Sequence, residues 1–292
     1  MRRFLSWPRS PGQRGLRRTG YLELIAAVAA TRRSDVVFSH VSALAILGYP
    51  YLGQWPTPVD ILEAPEAHRR TKNGVVVHRS SFGDSDLMEF DGMLVTTPAR
   101  TLADLARSGQ DHACVVALDF AIGKQAPRPL RVAKEELLAA IAKHGSWGSA
   151  RARGIVEFAD GRSGSPGESG SRLLFAQWGF EPPDLQVRYP TSSGSYYEVD
   201  FRWPRSARGR PLVGEFDGLG KYLKPEYLGS STTAEIVVAE KRREDWIRRY
   251  DGSDFMRWGM ADVTQPRSLR RLAVEQGVPI ARRAASSARS GR

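Results

Sequence analysis

One cysteine, Cys114, stands in 292 residues, so the chain cannot close a disulfide on itself. A stapled secreted fold and a cysteine-ligated zinc site are both excluded. The surroundings of Cys114, from Ala113 to Leu118, are apolar and suit a small buried side chain better than a nucleophile. Histidine is scarce too. His40, His68, His78, His112 and His144 show no metal-ligand spacing. His40 and His78 have no nucleophile arranged with them, so both are read as structural. No apolar run approaches the roughly 20 residues of a membrane span, and the basic N-terminus lacks the apolar stretch of a signal peptide. The expected location is cytoplasmic. No internal repeat is visible.

What is present is a globular composition, with 41% hydrophobic residues and 9% aromatics. Lys and Arg number 43 against 32 Asp and Glu, a formal charge of +11. Such an excess favours polyanions, because each contacted phosphate releases counterions. DNA is the expected partner, although Arg-, Ala- and Gly-rich compositions also arise from GC-rich coding.

Residues 1–20 read as a loose basic arm. From 21 to 160 the pattern is α+β. Helices are expected over Tyr21–Ala30 and Ser39–Leu47. Short strands follow near Val59–Leu62, Gly74–His78 and Met93–Val95. A helix opened by Thr97-Pro98 and three more near 111–123, 134–144 and 149–159 complete this part. Gly161 to Gly167 is the best linker. Beyond it the order is helix, three strands, helix, strand: about Pro166–Trp178, then Leu185–Tyr189, Tyr196–Trp203, Pro211–Asp217, a helix from about Thr233 to Tyr250, and Asp254–Trp258. Residues 266–292 read as a basic, partly disordered tail. The expected fold class is therefore α/β, or α+β overall, with an N-terminal α+β domain and a C-terminal α/β domain at 161–265. The latter has a central mixed sheet flanked by helices.

Strand alternation puts Glu215 and Asp217 on one face of the third strand, with Leu212 and Phe216 opposite. Asp200 stands between Val199 and Phe201, both expected to point away from it. Crowded carboxylates need compensating charge. Mg²⁺ supplies it through oxygen ligands, and a lysine aimed at the same place stabilises charge developing on phosphate. Lys221 and Lys241 are the candidates for that lysine.

The set Glu168, Asp200-Phe201, Glu215-Phe216-Asp217-Gly218 and Arg257-Trp258 resembles the PD-(D/E)XK nuclease superfamily. It is most similar to the small group related to the very-short-patch-repair endonucleases. The resemblance covers about 165–263 and implies a restriction-endonuclease-like fold and Mg²⁺-dependent cleavage of phosphodiesters. In it Asp200 and Glu215 would hold the metal. Glu168 would orient the site or bind a second ion, and Asp217 would ligate the ion or position water. Two departures stand out. Asp217 occupies the place of the motif's lysine, and residues 218–222 hold no histidine. Ser39-His40-Val41-Ser42-Ala43-Leu44, Val75 to Arg79 and Thr97 to Asp104 resemble actinobacterial proteins similar to AbiEi-type antitoxins. That resemblance implies a non-catalytic transcriptional regulator in a type IV toxin–antitoxin system, with a toxin partner encoded nearby. No winged helix is evident before Tyr21.

Plainer roles stand beside these. Ser165-Pro166-Gly167-Glu168 fits a helix capping box. Glu215 and Asp217 fit solvated charges on an edge strand. Lys241 fits an exposed helix face supported by Asp245. Arg242, Arg243, Arg248 and Arg249 fit either a phosphate track or plain soluble surface.

Overall fold

The computed structural model describes residues 16–31, 36–67, 70–192, 194–217 and 233–281, the side chains of the last stretch from 238 onward. The chain divides into two compact units, Met1–Gly170 and Ser171–Arg292. The fold is α+β, with two mixed sheets flanked by helices.

In the first unit, α1 (Arg18–Ala30) and β1 (Val37–Phe38) precede α2 (His40–Leu47), whose eight residues are all buried. A short helix made almost wholly of apolar residues is driven into the core. It stops at Gly48, whose φ of 84° is the left-handed conformation glycine takes at a helix C-terminus. β2 (Val59–Glu63), β3 (Val75–Arg79), β4 (Leu87–Phe90) and β5 (Met93–Thr96) complete a sheet in the order β3-β2-β1-β5-β4. The β4–β5 hairpin turns on Asp91 and Gly92, with φ of 50° and 71°, as a two-residue Asp-Gly turn requires. Four helices follow: α3 (Pro98–Ser108), α4 (Asp111–Ile122), α5 (Lys134–Lys143) and α6 (Ser149–Phe158). Buried Arg107 of α3 donates to the carbonyls of Ile141, His144 and Gly145. It thereby serves the end of α5, where backbone carbonyls run out of intrahelical partners.

Helix α7 (Pro166–Gln177) spans the division between the units. The second unit continues with β6 (Asp184–Pro190), β7 (Tyr196–Trp203), β8 (Leu212–Asp217), α8 (Thr233–Asp251) and β9 (Asp254–Gly259). The sheet order is β6-β7-β8-β9; the first three strands are antiparallel and β9 runs parallel to β8. Rings fill one side of it. Phe175 of α7 lies 5.5 Å from Trp203, 5.5 Å from Trp258 and 6.2 Å from Phe201, all edge-on. Trp258 is fixed by its Nε1–H, which donates to Ser171 Oγ at 2.8 Å.

Three expectations change. The first helix begins at Arg18, not Tyr21, and Leu16 already exchanges two backbone hydrogen bonds with Trp55; residues 1–15 of the expected arm lie outside the described residues. β1 and β4 are too short to show alternation and were not expected. Pro266–Gln276, assigned to a tail, forms α10 after the short α9 (Met260–Thr264). Leu269 and Ala273 of α10 are fully buried, while Arg267, Arg270 and Arg271 face out and disguise its apolar stripe.

Gly214 interrupts β8, where glycine normally weakens a strand. A Cβ there would lie 2.9 Å from the Trp258 ring and 3.1 Å from Phe201 Cβ. Gly214→Ala is therefore expected to lower unfolding stability by about 1–3 kcal/mol, read as a reduced urea midpoint with an unchanged slope.

Candidate functional site

The β7–β8 ladder runs from Trp203↔Leu212 to Phe201↔Gly214 and then stops, whereas β8 continues beside β9 to Asp217↔Gly259. The two strands part at Asp200 and Glu215. A break in the neighbouring ladder prepares the parting. On the other side of β7 the pairing passes from Leu185↔Phe201 to Val187↔Val199, skipping Gln186 and Asp200 with the register unchanged, and Gln186 has a φ of 52°. Val199 therefore packs with Tyr189, Val213 and Ile247 of α8, while Phe201 packs against Phe175 of α7. The expected common face for Val199 and Phe201 is thus corrected: alternation slips at Asp200.

The carboxylate of Asp200 turns into the seam. Its Oδ2 accepts the Phe216 N–H at 2.9 Å, replacing the next rung of the ladder. Glu215 is 5% exposed. Its Oε1 accepts from Arg243 Nη2 of α8 at 2.7 Å, and the same nitrogen donates to the Glu198 carbonyl on β7 at 2.6 Å. One guanidinium thus spans both strands. Burial alone would lower the Arg243 pKa. The charges of Glu215, Glu240 and Asp200 and the bond to Glu215 outweigh it, so the pKa is raised and the group stays charged. Glu240 lies 3.3 Å from Arg243 Nη1, and Arg257 Nη2 reaches Glu244 at 3.0 Å.

The remaining expected residues scatter. Glu168 closes the capping box at the start of α7, accepting from Gly164 N and Ser165 Oγ at 2.8 Å each. Asp217 ends β8 half-buried. Lys221 lies outside the described residues. Lys241 and Arg242 are exposed on α8. Arg248 pairs with Glu244 at 2.6 Å and sits 4.9 Å over the Phe255 ring. Exposed Arg249 donates to the Asp245 carbonyl. Arg243, expected on a phosphate track, instead faces inward to Glu215. Among the described residues, no three of His, Cys, Asp and Glu are grouped to hold a metal ion.

The first unit holds a second polar cluster that no spacing in the sequence marks. His40, buried at a φ of 47°, stacks on His78 with ring centroids 3.6 Å apart, and His78 Nε2 lies 2.8 Å from Asp60 Oδ1. Burial, then the neighbouring His78, lowers the His40 pKa to about 3.

No family model matches the chain. Two uncharacterized proteins of Mycobacterium tuberculosis do: MT2308 of strain CDC 1551 / Oshkosh and Rv2248 of strain ATCC 25618 / H37Rv. Each is 33% identical over 194 residues, covering 62% of this chain and 67% of the relative. The chain belongs to the family of these two mycobacterial proteins. One solved structure, the RV2827C protein of the same species, is 18% identical with a TM-score of 0.35 and covers 59% of this chain. The chain spans 64% of that structure, less than two thirds of its length. A likeness of that degree adds nothing to the description of this family member.

Two outcomes are expected for this member of the family. Arg243→Ala leaves Glu215 buried without its cation and should cost roughly 3 kcal/mol. The double variant Arg243→Ala/Glu215→Gln should recover part of that loss in a urea double-mutant cycle. His40 titrates near 6.5 when unfolded and near 3 when folded, so the unfolded chain binds the extra proton between those values. Its contribution is intact above about 6.5 and is lost as pH falls towards 3. From pH 7 to 5 the wild type should lose about 2 kcal/mol more than His40→Asn, which tolerates the same backbone conformation.

Proposed function

We propose that this chain acts on DNA, and that its second unit is an endonuclease-like domain that cleaves phosphodiester bonds. One observation carries the reading: where β7 and β8 part, Arg243 bonds the Glu215 carboxylate within the field of Asp200, whose own carboxylate is held by the Phe216 N–H. The helix, three strands, helix and strand of this unit accord with the PD-(D/E)XK resemblance.

The donors around Arg243 are hard oxygens of the kind Mg²⁺ takes, and its guanidinium marks a point where positive charge is stabilised. Asp200 and Glu215 would hold the ion, with Asp217 further along the same strand. When bound, Mg²⁺ supplies an activated water and neutralises charge on the phosphodiester. The chain's own part is positional. The Phe216 N–H orients Asp200, and Arg243 pairs with buried Glu215. Lys241, or Lys221 from the following segment, would stabilise charge developing on the phosphate. Both oxygens of Glu168 accept hydrogen bonds at the α7 cap, which supports a structural role for that residue.

A second reading is favoured by the same arginine. The Glu215–Arg243 pair neutralises the acid internally, as suits a DNA-binding regulator that keeps the fold without the chemistry. The resemblance of the first unit to AbiEi-type antitoxins points the same way, with a toxin as partner. Either function belongs in the cytoplasm; no helix among the described residues is long and apolar enough to cross a membrane.

A supercoiled-plasmid nicking assay with Mg²⁺ or Mn²⁺ separates the two readings. Under the first, the wild type nicks, and Asp200→Ala and Glu215→Ala each lose on the order of 100-fold or more. Equal background cleavage in all three proteins leaves the regulator.

A further inference from the structure

Along α8 a row of rings meets exposed cations. Trp246 stacks on Tyr250 with centroids 5.0 Å apart at 22°, and Tyr197 of β7 meets Trp246 edge-on at 6.0 Å. The inner sides of Tyr197 and Trp246 cover the small core of Val199, Val213 and Ile247. Tyr250 meets buried Tyr189 edge-on at 5.7 Å yet stays 55% exposed. Arg242 lies one turn before Trp246 and Arg249 one turn after it, about 10 Å apart along the helix. Both are exposed, and neither forms an ion pair with a carboxylate among the described residues. Their neighbours differ: Arg243 and Arg248 are each tied to a glutamate. Tyr197 and Arg242 also line the shallow groove that holds Glu240 and Arg243.

We infer that this face binds single-stranded DNA, with unpaired bases stacking on Trp246 and Tyr250 and the backbone phosphates held by Arg242 and Arg249. Aromatic rings offer every base an equivalent stacking surface, and unpaired guanidiniums beside them suit a phosphate backbone. A duplex keeps its base faces stacked inside and leaves the rings without a partner. The choice of DNA rests on the proposed function; the stacking face itself does not require cleavage.

Fluorescence anisotropy of a labelled 15-nucleotide oligo-dT, measured in EDTA, reads this binding whether or not the protein cuts. The oligo-dT is expected to bind more tightly than a duplex of equal length. Trp246→Ala and Tyr250→Ala should each weaken it by about 5- to 150-fold, and Trp246→Phe should retain most of the affinity. Arg242→Ala should lower the salt slope by about one. Tyr250 stands outside the core, so Tyr250→Ala keeps the test valid if Trp246→Ala fails to fold. Equal affinity for duplex, tighter binding of oligo-rU, or wild-type affinity in Tyr250→Ala would overturn the inference. Loss of nicking with binding intact would count against the endonuclease reading alone.

Discussion

A single half-buried guanidinium closes the seam of the second unit. Arg243 reaches from α8 to a carbonyl of β7 and a carboxylate of β8, joining two strands that no longer pair with each other. Buried Glu215 would be costly by itself, since an unpaired charge away from water is among the most expensive things a fold can contain. Whatever the seam does chemically, ligand or metal must come to terms with that arginine.

The geometry behind the seam is a local change of strand face. One skipped pair, Gln186 and Asp200, turns Val199 towards α8 and Phe201 towards α7, so each side of the sheet receives its own apolar cover. Asp200 lies at the change, in the plane of the sheet, and bonds to backbone where other strand residues point above or below. Gly214 opposite Phe201 makes room for Trp258, so the packed side and the polar side are set by neighbouring residues of one strand.

Much of this was legible in the sequence. The order of elements after the Gly161–Gly167 linker follows from hydrophobic period and turn residues, and nearly every expected helix and strand is present. Asp200 and Glu215 stand out because each is an acid inside an apolar strand. Arg243 was legible only as one basic residue in a charged helix; its partner lies 28 positions away, and nothing local says which arginine turns inward. The break at Gln186 and Asp200 interrupts the alternation on which face assignment depends, so Val199 and Phe201 do not share the face that alternation gives them. α10 was hidden because arginines flank its few apolar positions, and the His40–His78 stack because its members come from α2 and β3.

Where two strands separate, each exposes backbone groups that another chain could pair with, which makes an open sheet prone to edge-to-edge association. Here the Phe216 N–H is taken by Asp200 and the Glu198 carbonyl by Arg243, and both blocking groups are ionic. The fork therefore offers these backbone groups to no incoming strand, and the parting of two strands is gained without a nucleus for aggregation.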